Sequence, residues 1–191
     1  MGRVSQAQAQ ENRRRVVDKA SRLFREQGTE VSVADLMKAA GLTHGGFYKQ
    51  FASKEALIGE AAAHAFDEHA RIRVAALQQH PGDRDAARRA FIEAYLSIEH
   101  RDSAADGCPV AGLAVDIARG HGDAEARRIF TEQVGDTAAW LGADGEDGIA
   151  RLCTMVGALV LARATKGNPL SEDILATARA ALTDDSTPTG P

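Results

Sequence analysis

The chain has 191 residues, of which 44% are hydrophobic and 26% are charged, a composition typical of a globular protein with a sizeable core. No apolar run approaches the ~18 residues of a membrane span, and the N-terminal segment lacks the apolar centre of a secretory signal, so a cytoplasmic protein is expected. The two cysteines, Cys108 and Cys153, have neither the spacing of a metal site nor the number needed for a disulfide framework.

Charge is distributed unevenly along the chain. Residues 1–54 hold ten Lys and Arg against five Asp and Glu, a balance of +5, and the remainder holds 13 against 22, a balance of −9. The two balances sum to the net charge of −4. A basic N-terminal third followed by an acidic body is typical of a DNA-binding module attached to a carrier domain.

Residues 10–27 are predicted to form the first helix, because apolar residues recur there at helical spacing until Gly28 ends the pattern. Arg13, Arg14 and Arg15 stand near its start. Two interpretations of these arginines remain open. They form either a solvated charge cluster, as such runs usually do, or an N-terminal arm that contacts phosphates.

The segment that follows predicts two short helices joined by a tight turn. Ser32 offers an N-cap to the first helix, and Gly41 ends it because glycine accepts the left-handed conformation without strain. Thr43 is predicted to cap the second helix, whose buried side comes from Phe47 and Phe51. This is a helix-turn-helix pattern, in which the second helix enters a DNA major groove.

Polar side chains and glycines around the second helix are the candidate DNA contacts. Tyr48 offers a hydroxyl to a phosphate, and Lys54, at the start of the next helix, opposes the helix dipole and so needs an external partner. Gly45 and Gly46 each cost roughly 1 kcal/mol in a helix, which suggests a close approach of the backbone to a neighbouring surface. The predicted DNA-binding residues are Ser32, Thr43, His44, Gly45, Gly46, Tyr48, Lys49 and Lys54.

The sequence GLTHGGFYKQFASKEAL closely resembles the DNA-binding signature of TetR-family transcriptional regulators. The resemblance runs from about Arg13 to Leu57. Met37 departs from it, since many members carry a smaller Ala there, and its bulk is expected to be absorbed between the two helices. The glycine pair also leaves few side chains for reading bases.

The rest of the chain predicts further helices and no strand, so the fold class is all-α with about nine helices. A long helix is expected at 53–80, with Ile72 and Leu77 on its apolar face, and Pro109 fits the first turn of a later one. The other predicted helices cover residues 84–100, 123–141, 149–165 and 171–182. Residues 142–148 are interpreted as a linker, and the tail 184–191 is expected to be disordered.

The resemblance implies a DNA-binding domain at 1–54, followed by a ligand-binding and dimerisation domain at 55–183. The helices at 149–165 and 171–182 would pair with those of a second copy, so that a homodimer meets a palindromic operator. A small apolar or aromatic effector would then release a repressor from DNA. Candidate pocket residues lie on apolar or aromatic helix faces, with core packing as the alternative: Phe66, His69, Phe91, Tyr95, Ile98, Leu113, Ile117 and Trp140.

Two other classes of regulator remain open. Cys108 would sit at a helix N-terminus, where the pKa of a thiol can be lowered, so a redox switch with Cys153 is one alternative to a small buried residue. A DNA binder without an effector is the other. An enzyme is not expected: His100-Arg101-Asp102 matches a kinase loop without the other kinase motifs, and the histidines show no metal-site spacing. No catalytic residue, metal or cofactor is therefore predicted.

Overall fold

Every regular element in residues 6–142 and 148–183, the part of the chain that the computed structural model describes, is a helix. The predicted all-α class is confirmed. The tail 184–191 and the centre of the predicted linker, 143–147, lie outside the described residues. The elements are α1 Gln6–Gln27, α2 Val33–Ala39, a 3₁₀ helix His44–Lys49, α3 Lys54–Gln79, α4 Arg84–Tyr95, α5 Ile98–Asp102, α6 Pro109–Ala118, α7 Ala124–Leu141, α8 Gly148–Ala164 and α9 Leu170–Thr183.

None of these described helices combines the length and the apolarity that crossing a bilayer requires.

The chain divides into two compact units. The first holds the residues up to His69 together with Ala104–Val134, and the second holds Ala70–Ser103 together with the residues from Gly135 onward. The predicted helix-turn-helix segment therefore shares its unit with α6. The division into functional domains at 1–54 and 55–183 stays a prediction.

The first unit is built on one hydrophobic core. Gly112 of α6 lies so close to α1 that an added Cβ would stand 3.0 Å from Arg25 Cα, so the crossing requires glycine. The buried cluster comprises Val16, Ala20, Phe24, Leu36, Met37, Ala40, Phe47, Phe51, Leu57, Ile58, Ala61, Ala62, Leu113, Ile117 and Ala126. Because α2 and the 3₁₀ helix both contribute to it, packing fixes their orientation on α1.

In the second unit, α8 packs on α9, and α4 and α5 pack against this pair. Arg101 at the end of α5 donates to Ser171 Oγ at 2.9 Å, and Ser171 in turn donates to the Ala162 carbonyl at 2.6 Å. Arg163 of α8 donates to the carbonyls of His100 and Arg101. These bonds, buried at Ser171 and partly buried at Arg163, tie α5, α8 and α9 together.

The predicted single helix at 84–100 is wrong. The chain forms α4 Arg84–Tyr95 and then starts again at α5 Ile98–Asp102. The break occurs because the Ser97 hydroxyl accepts the His100 amide at 3.1 Å and so provides a new N-cap. Arg101 and Asp102, which lie beyond the predicted helix, consequently belong to α5.

The long helix predicted at 53–80 is confirmed as α3 Lys54–Gln79. Its N-terminal half is buried, but Ile72 and Leu77 are 47% and 37% exposed. Five positions along a helix correspond to roughly 140° around its axis, so the prediction that these two side chains lie on one apolar face is wrong.

Candidate nucleic-acid interface

The turn between α2 and the 3₁₀ helix forms as the sequence predicts. Ser32 Oγ accepts the Asp35 amide at 3.1 Å and caps α2. Gly41 has φ +69°, the left-handed conformation that ends the helix. The Leu42 amide then donates to the Met37 carbonyl at 2.8 Å, which closes the turn.

The second helix differs from its prediction in kind, because residues His44–Lys49 form a 3₁₀ helix rather than an α-helix. Thr43 occupies the N-cap position with extended backbone angles, but its side chain makes no capping hydrogen bond to the described residues, so the predicted side-chain cap is wrong. Two consecutive glycines provide little helix propensity. Packing of Phe47 and Phe51, whose rings stack with centroids 5.4 Å apart, holds the element in place.

The glycine pair separates into two different environments. A Cβ on Gly46 would stand 3.4 Å from Met37 Cε, so the departure from the family pattern at Met37 is accommodated opposite a glycine. A Cβ on Gly45 would meet no heavy atom of the described residues within 4 Å. Packing inside the protein therefore does not explain the missing side chain at Gly45.

The outer face of the 3₁₀ helix is polar. Thr43, His44 and Lys49 are exposed, and Tyr48 is 68% exposed. The Tyr48 ring stands edge-on against Phe47, with centroids 5.1 Å apart, and faces His44 at 6.5 Å. The phenol is thus oriented by a buried ring while most of its surface stays open.

Lys54 opens α3 beside this face. Ser53 Oγ accepts the Ala56 amide at 3.1 Å and caps the helix. The pKa of the neighbouring Glu55 carboxyl is held below its ordinary value, first by a hydrogen bond from a backbone amide and then by the Ser53 hydroxyl. Glu55 therefore carries negative charge at neutral pH, at the helix end that favours it.

Two of the arginines in the run Arg13–Arg15 are used inside the unit. Arg13 donates to the Gln50 carbonyl and to Glu60, and its guanidinium lies 4.3 Å from the centroid of the Phe51 ring. Arg15 donates to the Ala40 carbonyl at the end of α2. They fasten α1 to the C-terminal end of each helix of the helix-turn-helix. The sequence gives no signal for this role. Two of the partners, the Gln50 and Ala40 carbonyls, are backbone groups, which no residue type marks.

The predicted ligand-binding residues are distributed over both units. Phe66, Leu113 and Ile117 are buried in the first unit, where Phe66 meets Phe130 edge-on at 5.8 Å. His69 is also buried there, and Ile98 of the second unit is 43% exposed. The ligand-binding assignment stays a prediction.

Within the second unit, three of the predicted ligand-binding residues form an aromatic cluster. Phe91 lies between Tyr95 and Trp140, with centroids 6.0 and 5.0 Å away. Trp140 Nε1 is buried and has no hydrogen-bond partner among the described residues.

Cys108 occupies the N-cap of α6 with Pro109 in the first turn, as predicted, and is 2% exposed. Cys153 is exposed. A small buried side chain is what a structural cysteine shows, and the thiol switch stays an untested alternative.

Residues 16–61 match the family model of bacterial regulatory proteins of the tetR family. The match covers the buried half of α1, the whole helix-turn-helix and the start of α3, which is the part of the chain whose geometry is described above. Over this segment the chain is similar to the tetR family, which the model describes as bacterial regulatory proteins.

Relatives of the family extend the similarity beyond that segment. The HTH-type transcriptional regulator AcrR of Shigella flexneri is 41% identical over 61 residues, which is 31% of this chain and 28% of AcrR. A TetR transcriptional regulator of Chloroflexus aurantiacus has a TM-score of 0.74 at 23% identity, over 93% of this chain and 94% of that one. AibR, in a crystal structure with isovaleryl coenzyme A and operator DNA, has a TM-score of 0.63 at 16% identity, over 90% and 98%. The sequence match covers under a third of AcrR. The similarity in fold to the two solved structures covers nearly the whole chain.

Proposed function

We propose that this tetR-family protein binds operator DNA through the outer face of its 3₁₀ helix and regulates transcription. The observation that carries the proposal is the combination of an exposed polar face with a buried attachment. Phe47 is fully buried while the adjoining Tyr48 is 68% exposed, so the element is held rigidly and presents its polar side outward.

The chemistry of that face suits the DNA backbone. The hydroxyls of Thr43 and Tyr48 and the ammonium groups of Lys49 and Lys54 are donors to phosphate oxygens. Gly45 leaves open space where a side chain would keep a phosphate at a distance. Phosphate contacts supply affinity and register, and the few remaining side chains, such as His44, supply base discrimination.

A homodimer presents two such faces to one duplex. In the single chain the exposed side of α8 is apolar: Ile149 is 64%, Val160 44% and Leu161 57% exposed. Gly157 lies in the middle of that side, and no heavy atom of the described residues comes within 4 Å of where its Cβ would be. An apolar helix face with a small residue at its centre favours close packing against a second copy of the same helix. Helix α9 beside it would complete the interface.

The regulator is proposed to be a repressor released by a small, largely apolar effector. The AibR structure, which contains both an acyl coenzyme A and operator DNA, supports a two-ligand mechanism for this fold. A ligand shifts an equilibrium only through its different affinity for two states. The aromatic cluster of Phe91, Tyr95 and Trp140 offers the apolar contact that such a preference needs.

The DNA-binding proposal is tested by selection of duplexes from a random library with the full-length protein, followed by footprinting. The expected result is a pair of inverted half-sites whose centres lie about 34–36 Å apart, one helical turn. The proposal would be contradicted if the selection enriched no sequence. It would also be contradicted if a single half-site were recovered that one chain per duplex saturates.

The effector proposal is tested by emission from Trp140, the one tryptophan in the sequence. A compound that binds at the aromatic cluster should change this emission at the same concentrations that release the selected duplex. A compound that releases DNA without changing the emission would place the effector elsewhere. Release by oxidants alone, abolished in Cys108→Ser, would favour the thiol switch instead.

A further inference from the structure

Three metal-ligating side chains converge on the first unit, away from the 3₁₀ helix. Asp18 comes from α1, and His64 and Glu68 come from successive turns of α3. His64 Nε2 lies 3.5 Å from Glu68 Oε1 and 3.9 Å from Asp18 Oδ1. One atom from each of the three side chains lies within 4.8 Å of the other two.

The carboxylates are oriented by partners outside this group. Glu68 Oε2 accepts from Arg25 Nη2 at 2.7 Å, and the Arg25 side chain is 1% exposed and also donates to the Gly107 carbonyl. Asp18 Oδ2 faces Lys19 Nζ at 3.3 Å. Each carboxylate thus has one oxygen anchored and the other directed at His64, as in metal sites whose ligating carboxylates are fixed by further hydrogen bonds.

The group is accessible from solvent. Asp18 and His64 line a cavity of about 550 Å³ between α1 and α3. The side chains of Asp18, His64 and Glu68 are 43%, 34% and 34% exposed. Water can therefore fill the coordination positions that the protein leaves open.

We propose that Asp18, His64 and Glu68 bind a divalent transition-metal ion of the Zn²⁺ type. Zinc takes His nitrogen and carboxylate oxygen at about 2.0–2.2 Å, which places two ligand atoms of a tetrahedral ion roughly 3.3–3.6 Å apart. The pair from His64 and Glu68 already has this separation, and a small rotation brings in Asp18. The imidazole favours zinc-like ions over Mg²⁺ and Ca²⁺, which prefer oxygen ligands only.

Such an ion would join α1 to α3 by a bond that the unfolded chain lacks. Metal binding to a site that exists only in the folded state stabilises that state. The group shares no residue with the polar face of the 3₁₀ helix, so the inference does not depend on the proposed function. The competing explanation is a protonated His64 that pairs with both carboxylates and binds no metal.

The test is calorimetric titration of Zn²⁺ into the tag-free, chelator-treated full-length protein in a Cys153→Ser background, which removes the exposed thiol. One ion per chain is expected, together with a rise in Tm of roughly 5–10 °C when free Zn²⁺ exceeds Kd about 100-fold. Co²⁺ should give the visible absorption of a low-symmetry site with nitrogen and oxygen ligands. His64→Ala and Asp18→Asn should each weaken binding at least tenfold and remove the Co²⁺ band, and His80→Ala, the matched control, should change neither.

Asp18→Asn keeps shape at a half-exposed position, so it tests the site even if His64→Ala fails to fold. Absence of Zn²⁺ binding in the parent protein would overturn the proposal in favour of the protonated histidine. Equal affinity in the parent, His64→Ala and Asp18→Asn would overturn it as well, by placing the ion at other residues.

Discussion

Two helix surfaces each contain a glycine with open space beside it, and their surroundings differ in polarity. Gly45 stands among Thr43, His44 and Tyr48, whereas Gly157 stands beside the exposed apolar residues Val160 and Leu161. Both positions lack a neighbour in the described residues to explain the missing side chain. The difference indicates partners of different chemistry, a phosphate backbone at the first surface and a second protein chain at the second.

The largest effect is expected at the apolar surface. Gly157→Arg has room in the isolated chain but would bury an unpaired charge in a helix interface, which costs about 3–5 kcal/mol. The dimer dissociation constant should rise at least ~100-fold, as measured by sedimentation. Gly135→Arg is the matched control, since Gly135 of α7 is equally open. If Gly157→Arg weakened the dimer no more than Gly135→Arg does, α8 would not be part of the interface.

The next effect separates the two adjacent glycines. Gly45→Ala meets no described atom and should stabilise the folded protein by up to ~1 kcal/mol, yet its methyl group would stand between the helix and a phosphate. Affinity for the selected duplex should fall about tenfold, or ~1.4 kcal/mol. Gly46→Ala, which faces Met37, is the matched control and should leave DNA affinity nearly unchanged. If Gly45→Ala bound the duplex as tightly as the parent, the DNA backbone would not lie close to Gly45.

A smaller effect is expected at His100, which contacts α8, the helix that carries the apolar surface. His100 donates from Nδ1 to the Tyr95 carbonyl at 2.6 Å, and its carbonyl accepts from Arg163 of α8. Burial, and then the charge of Arg163, lower the pKa of His100.

A lowered pKa means that the unfolded state binds the proton more readily than the folded state. The contribution of His100 is therefore complete above the ordinary pKa of about 6.5 and declines as pH falls through it. The urea midpoint should drop between about pH 7.5 and pH 5, and the drop should be shallower in His100→Gln. A profile unchanged in His100→Gln but altered in the control His80→Gln would refute this assignment.

Local chemistry made the helix-turn-helix predictable, whereas tertiary partners decided the features that were missed. The Ser32 cap, the left-handed Gly41 and the start of α6 at Pro109 depend on neighbours within a few residues, and all three are confirmed. The packing of Arg13 on Phe51 depends on a partner far along the chain, so no spacing rule reveals it.

The break before α5 is an intermediate case. Its signal, a serine three residues before His100, was present in the sequence, but continued apolar spacing through Ile98 obscured it. The convergence of Asp18 with His64 and Glu68 was out of reach for the same reason as the arginine contact. A search for paired histidines finds nothing there, because the group holds a single histidine, and one of its two carboxylates comes from another helix.

The polar surface around the 3₁₀ helix, and not the charge of the chain as a whole, is proposed to bind the DNA backbone. The direct measurement is fluorescence anisotropy of the selected duplex over a series of salt concentrations, for the parent protein, Lys54→Ala and Lys166→Ala. Affinity is expected to fall steeply with salt in the parent. The slope should be lower by about 1 in Lys54→Ala and the same as in the parent in Lys166→Ala. Equal slopes for the parent protein and Lys54→Ala, or equal losses in the two variants, would contradict it.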